Sequence, residues 1–206
     1  MPDRQALTRF ALRIVVIFFV LAAVTAIAGI LVRAWSPGFD LQAMQAVADH
    51  RTALGTQIAS IVSDAGSFAI LAPLTIALVL LRRWRRPADD LALIVARPRP
   101  TIEHLTHLTS LSFPSEHTTQ AAAIYLAIAS LLTQGRQALW RRLALALAVV
   151  IAILVALSRV FLGVHYPTDV GAGLLLGWLW TIGIFRYARS ELKGPGKPEI
   201  VPPAPK

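Results

Sequence analysis

Residues 158–169 read SRVFLGVHYPTD and lie between two apolar runs, Leu143–Leu157 and Val170–Ile184. Apolar residues lead into Arg159, which places a cation at the end of a membrane helix. Gly163 is suited to breaking that helix, and Pro167 to the first turn of the next. His165 then falls in the turn between two helices. Asp169, four residues on, is close enough to accept a proton from one ring nitrogen. An imidazole oriented by a carboxylate, beside a guanidinium, is equipped to act as nucleophile or base toward an anionic phosphate. Taken without the rest of the chain, the stretch reads equally as an interfacial loop with a snorkelling arginine and a helix-capping aspartate.

The composition decides what surrounds it. Of 206 residues 56% are hydrophobic and only 15% charged, with a mean hydropathy of +0.63. That is too apolar for a soluble domain of this size, and the apolar residues come in blocks. The expected fold is an all-α, polytopic membrane helical bundle forming one domain over residues 1–190, with residues 191–206 a disordered cytoplasmic tail rich in Pro and Lys. The net charge of +9 does not point to nucleic acid. The basic residues sit between apolar blocks (Arg82, Arg83, Arg85 and Arg86; Arg136, Arg141 and Arg142; Arg186, Arg189 and Lys193), as in cytoplasmic loops, and no basic domain is left over. Cysteine is absent, which excludes disulfide and thiol chemistry.

From the N-terminus, Ile14–Val32 is long enough to cross a hydrocarbon core of about 30 Å. Ala26-Ile27-Ala28 resembles a signal cleavage site, but the apolar run continues past it, so a retained helix with a cytoplasmic start is expected. Trp35-Ser36-Pro37-Gly38 ends it. Leu41–Leu54 has the spacing of an amphipathic helix on the outer face. Ile58–Leu81 reads as the second crossing, with Ser60, Ser63 and Asp64 turned to the bundle interior or the outer interface. Only Ala88–Ala96 then separates the Arg82–Arg86 cluster from Arg97-Pro98-Arg99-Pro100. Nine residues of helix reach about 14 Å, half a bilayer, so a shortened third helix is expected. Thr101–Phe113 is a polar loop, Thr118–Leu132 a further apolar helix, and the two runs flanking Ser158–Asp169 complete the bundle. With the basic loops inside, Arg97–Pro100, Pro114–His117 and Ser158–Asp169 converge at the outer face.

Pro114-Ser115-Glu116-His117 immediately precedes a helix. Ser115 is an N-cap candidate, Glu116 suits the helix dipole, and a phosphate lodged there would meet backbone N–H groups, a hydroxyl and an imidazole. With these residues in view, a family resemblance is apparent. Arg99-Pro100, Pro114-Ser115-x-His117 and Ser158-Arg159-x5-His165-x3-Asp169 resemble the three signature motifs of the type 2 phosphatidic acid phosphatases. This lipid phosphate phosphatase superfamily shares its site with the vanadium haloperoxidases. The resemblance spans roughly Arg97 to Gly177, and the flanking helices fit the family's six-helix membrane fold.

The resemblance implies that His165 is the nucleophile that becomes phosphohistidine and that Asp169 orients it. It implies that His117 protonates the leaving group and then activates water. Arg99, Arg159 and Ser115 would hold phosphate oxygens. No metal or cofactor is implied. The implied substrates are membrane lipids: undecaprenyl diphosphate, phosphatidic acid or phosphatidylglycerol phosphate, hydrolysed at the outer leaflet of the cell membrane.

Two positions depart from the pattern. The family's first motif carries a lysine where this chain has Ala92, with Arg97 at best an improvised substitute on another helical face. Glu116 stands where the family usually has glycine, and its charge would repel phosphate unless the carboxylate points away. The departures favour weakened turnover, or, as the alternative, a relative that binds lipid phosphate headgroups without hydrolysing them. Glu103-His104-x-x-His107 has the wrong order for the HExxH zinc motif and reads as loop histidines. Gly173 and Gly177 are spaced for close helix packing, within the bundle or between two copies.

Overall fold

The computed structural model describes residues 4–82, 99–105 and 112–192. Among these the chain forms seven helices and no strand: α1 (Arg4–Trp35), α2 (Pro37–Asp49), α3 (Ala53–Asp64), α4 (Phe68–Arg82), α5 (Glu116–Leu132), α6 (Ala138–Phe161) and α7 (Pro167–Leu192). The shortened third helix expected over Ala88–Ala96, and with it Ala92 and Arg97, lies outside the described residues. Among the described residues three stretches are long and apolar enough to cross a membrane, Ala53–Ala77, Ala138–Phe161 and Pro167–Arg186, and the bent pair Ala22–Ala34 and Pro37–Asp49 makes a fourth if it is one span. Many large apolar side chains face outward, and polar site residues lie inside beside an apolar core that includes Met44, Leu71 and Val155. Ile61, Leu147, Leu157, Leu175 and Leu179 are exposed, whereas Ser63, Ser112, Ser115, Thr118, Arg159, His165 and Asp169 are buried. Apolar side chains outside and polar ones inside is the arrangement a lipid solvent demands.

The crossing expected over Ile58–Leu81 is present as one span, Ala53–Ala77, interrupted at Ala65–Ser67 where α3 gives way to α4. The sequence Ser63-Asp64-Ala65-Gly66-Ser67 supplies the reason. Ser67 Oγ donates to the Asp64 main-chain oxygen at 2.6 Å, and the Gly66 N–H donates to the Ser63 oxygen at 2.9 Å. These tight local bonds compete with the regular helical ladder. Of the polar residues there, only Ser63 is buried; Ser60 and Asp64 are exposed. The helices near the C-terminal half run further than the apolar runs alone indicate. α6 begins at Ala138 and takes in Arg141 and Arg142, and α7 includes Glu191 and Leu192. The rest of the expected tail is outside the described residues.

α5 is the central helix, packed between α6 and α7. Its alanines make this approach feasible: Ala121 and Ala122 are fully buried, clustered with Ala152 and Val155 of α6. On the other side α7 presents glycine. A Cβ at Gly177 would lie 2.5 Å from the Thr119 main-chain oxygen, and one at Gly173 would lie 2.9 Å from that of Ser115. The glycine pair is therefore used for contact within the bundle. α2 lies against α6 and α7 through buried Met44. Asp40 fastens it, accepting from Thr168 Oγ1 at 2.6 Å and from the Thr168 N–H at 3.3 Å in the first turn of α7.

Candidate active site

The turn between α6 and α7 forms as the sequence leads one to expect. Arg159 is in the last turn of α6, Gly163 ends the helix with φ +81°, and Pro167 opens α7. A side chain at Gly163 would be strained by that φ, and its Cβ would also sit 2.3 Å from Arg51 Nη2 and 2.7 Å from the Glu103 oxygen. Arg51 fills this space. Its Nε donates to the Phe161 oxygen and its Nη1 to the Glu103 oxygen, both at 2.9 Å. One guanidinium thus ties the 99–105 segment to the turn that carries His165. Leu105 N–H adds a bond to the Leu162 oxygen at 3.1 Å.

His165 is buried, and its ring has a second neighbour besides the expected Asp169. Nδ1 lies 2.7 Å from the Ser112 main-chain oxygen and 3.7 Å from Asp169 Oδ2. A carbonyl only accepts, so Nδ1 carries the proton and Nε2 keeps its lone pair. The carboxylate is the more distant neighbour of the same nitrogen, at ion-pair distance. It accepts from Ser112 Oγ and, at 3.0 Å, from the Tyr166 N–H. Ser112 stands between the two, its carbonyl on His165 and its hydroxyl on Asp169. Burial pulls the imidazole pKa below its ordinary value, opposed by Asp169 and reinforced by Arg159 and Arg99. The ring is neutral near pH 7.

Nε2 faces Arg99, whose Nη1 is 3.4 Å away and also donates to the Val164 oxygen at 2.6 Å. The first-motif arginine thus reaches the site. Arg159 approaches from α6: Nη1 donates to Ser63 Oγ at 2.6 Å. Its Nε is buried and has no hydrogen-bond partner among the described residues. An orphan charged donor at this depth is costly without an anion to receive it.

The start of α5 completes the group. Ser115 occupies the N-cap position but makes no side-chain bond to the helix backbone. Its oxygen instead accepts from Thr118 Oγ1 at 3.0 Å, which leaves its own O–H to donate elsewhere. The Ser115 N–H bonds the Asp169 main-chain oxygen at 3.2 Å, tying the second motif to the third. His117, the second residue of α5, has its pKa lowered to about 4 by burial and by the neighbouring Arg159, His165 and Arg99. Glu116 is exposed, and its Oε1 accepts from Gln120 Nε2 at 3.1 Å, one turn along α5. The carboxylate lies along the helix surface, yet it is close enough to Arg99 and Arg159 to act on both through space, so its charge still bears on the site.

Arg99, Ser115, His117, Arg159, His165 and Asp169 therefore come together at one end of the bundle, while Arg97 lies outside the described residues. The Glu103/His104/His107 set does not assemble as far as it is described: His104 Nε2 bonds the Pro100 oxygen at 2.7 Å, and His107 is outside. Sequence reasoning missed Ser112, Ser63 and Arg51 as site neighbours. Ser112 had one signal, its place two residues before Pro114-Ser115. Arg51 is a lone cation in a polar connector, with no spacing that links it to the turn it holds.

Among curated proteins, the chain is 44% identical over 87 residues to phosphatidylglycerophosphatase B of Bacillus subtilis, covering 41% of this chain and 43% of the relative. It is 32% identical over 103 residues to an undecaprenyl-diphosphatase of the same organism, covering 48% and 49%. With a decaprenylphosphoryl-5-phosphoribose phosphatase of Mycobacterium tuberculosis it shares 37% identity over 117 residues, covering 57% and 54%. The chain spans about half the length of the curated relatives it matches. Among solved structures, it resembles a transmembrane PAP2-type phosphatidylglycerolphosphate phosphatase from Bacillus subtilis with a TM-score of 0.63 and 25% identity, covering 87% of this chain and 96% of that one. An LpxE structure from Aquifex aeolicus matches with a TM-score of 0.56 at 24% identity, over 74% and 98%, a likeness of fold. The model of the PAP2 superfamily is matched by residues 10–192, the span of nearly the whole bundle, and the chain belongs to that family.

Proposed function

We propose that the protein is an integral-membrane lipid phosphatase acting through a phosphohistidine on His165. The observation that carries this reading is the state of His165: a buried, neutral imidazole whose Nδ1–H is committed to Ser112, with Nε2 facing Arg99. In the proposed reaction the Nε2 lone pair forms a bond to phosphorus as the bond from phosphorus to the lipid oxygen breaks. A bound phosphate dianion offsets the burial and the neighbouring cations that lower the His117 pKa to about 4, and His117 then gives its proton to the departing oxygen. A water then loses a proton to His117, its oxygen bonds phosphorus, the N–P bond breaks and inorganic phosphate leaves. Arg99, Arg159 and the Ser115 hydroxyl hold the non-bridging oxygens while charge builds on them.

The substrate class is a phosphate or diphosphate on a membrane lipid, with undecaprenyl diphosphate, phosphatidic acid and phosphatidylglycerol phosphate as candidates. The similarity to a phosphatidylglycerophosphatase and an undecaprenyl-diphosphatase supports this class. The placement of the basic loops supports a site on the outer face of the cell membrane. Purified protein assayed for phosphate release from those three lipids, with and without EDTA, tests the proposal. Release from at least one of them that survives chelation is expected. Binding of all three without release would establish the headgroup-binding alternative instead.

A further inference from the structure

Ser63 belongs to none of the three motif stretches, yet it is buried against one of their arginines. It sits in the last turn of α3, and its Oγ accepts from Arg159 Nη1 at 2.6 Å, across 96 positions of the chain. A guanidinium is a rigid planar fork, so fixing one nitrogen fixes the direction of the others. The nitrogen left buried without a partner among the described residues is Nε of the same group. The acceptor is a neutral hydroxyl, which orients the cation and leaves its charge for an incoming anion. A carboxylate bonded there would consume that charge; Asp64, the next residue, is exposed and acts on Arg159 only through space.

The break after α3 keeps Ser63 at this depth. Tyr125 Oη of α5 donates to the Ala65 main-chain oxygen at 2.8 Å. Gly66 presses its backbone against α6 and the start of α5: a Cβ there would lie 2.5 Å from Val155 Cγ1 and 3.0 Å from the His117 oxygen. The end of α3 is thereby pinned to the two helices that carry Arg159 and His117. Irregular backbone at membrane depth is tolerated where protein covers it, and here it forms a wall of the site.

We propose that Ser63 is the positioning residue for Arg159, aiming its guanidinium at the phosphate, and that the broken α3–α4 span is the device that holds Ser63 in place. This rests on the phosphatase reading above. The test compares Ser63→Ala, Ser63→Thr and His165→Ala in purified, folded protein, with kcat and KM read separately on one lipid phosphate. Ser63→Ala is expected to lower kcat about tenfold, the loss of one hydrogen bond to a charged group, with KM moving less. Ser63→Thr, which keeps the hydroxyl, should restore most of the rate. In an Arg159→Lys background, which has no fork to orient, Ser63→Ala should change kcat less than about twofold, since residues that act as one unit are not additive. A tenfold effect in that background, or no effect of Ser63→Ala on the wild type while His165→Ala is inactive, overturns the role of Ser63 and leaves the phosphatase reading standing. Turnover that persists in His165→Ala overturns the phosphatase reading itself.

Discussion

The imidazole of His165 is oriented by the main chain of Ser112, at 2.7 Å from Nδ1 to the carbonyl oxygen, with the Asp169 carboxylate 3.7 Å away. The acid also accepts from the Ser112 hydroxyl and the Tyr166 N–H. The tautomer that leaves Nε2 free is therefore set by a backbone group that no side-chain substitution at residue 169 removes.

Asp169→Asn should accordingly be tolerated better than the equivalent change in a catalytic triad, where the carboxylate selects the tautomer and its loss costs about 10⁴ in kcat. An asparagine oxygen can still accept from Ser112 and Tyr166. A loss of about tenfold to a hundredfold is expected in phosphate-release assays. A loss near 10⁴ in a folded variant would show that the carboxylate orients the ring directly.

Gly163→Ala should destabilise the fold by at least about 1–2 kcal/mol, the cost of a left-handed conformation for a residue with a Cβ. The Cβ would also displace Arg51 from the turn. Thermal unfolding in detergent measures it. An unchanged midpoint would mean that Arg51 moves aside at no cost.

These two predictions show what the sequence revealed and what it hid. Pro167, Gly163 and the apolar runs announced the helix–turn–helix at His165 because helix termination is a local property. Arg159, Ser115 and His117 were legible because they sit at helix ends. The break at Ala65–Ser67 escaped notice because apolar residues continue on both sides of it, and hydropathy averages over a three-residue interruption. Ser112 and Ser63 escaped for another reason. Their partners lie 53 and 96 positions away, and serine has no pattern of its own until the fold brings a partner to it. The four-residue spacing of His165 and Asp169 fixes their proximity but not which acceptor takes the shorter bond to the ring.

The pH dependence follows from the burial of His165. Its pKa is lowered from 6.5, so the reactive neutral form persists into mildly acid solution and is lost only as pH falls through the lowered value. The acid limb of kcat/KM, measured on a lipid diphosphate, should have its midpoint below 6.5. A midpoint above that value would require a carboxylate contact strong enough to overcome burial.

Topology is open to direct labelling because the chain has no cysteine. Glu103→Cys at the site end and Arg141→Cys at the start of α6 are both exposed positions. A membrane-impermeant maleimide on intact cells should label the first and not the second. The reverse pattern would move the site to the cytoplasmic face.

The central claim is that phosphate passes through the imidazole of His165. Rapid quenching of the wild-type protein during turnover of a phosphate-labelled lipid, followed by mass spectrometry under alkaline conditions, measures this directly. A phosphoryl group on His165, absent in folded His165→Ala that also releases no phosphate, is the predicted result. Steady phosphate release with His165 unmodified throughout, or undiminished release by His165→Ala, would contradict the account.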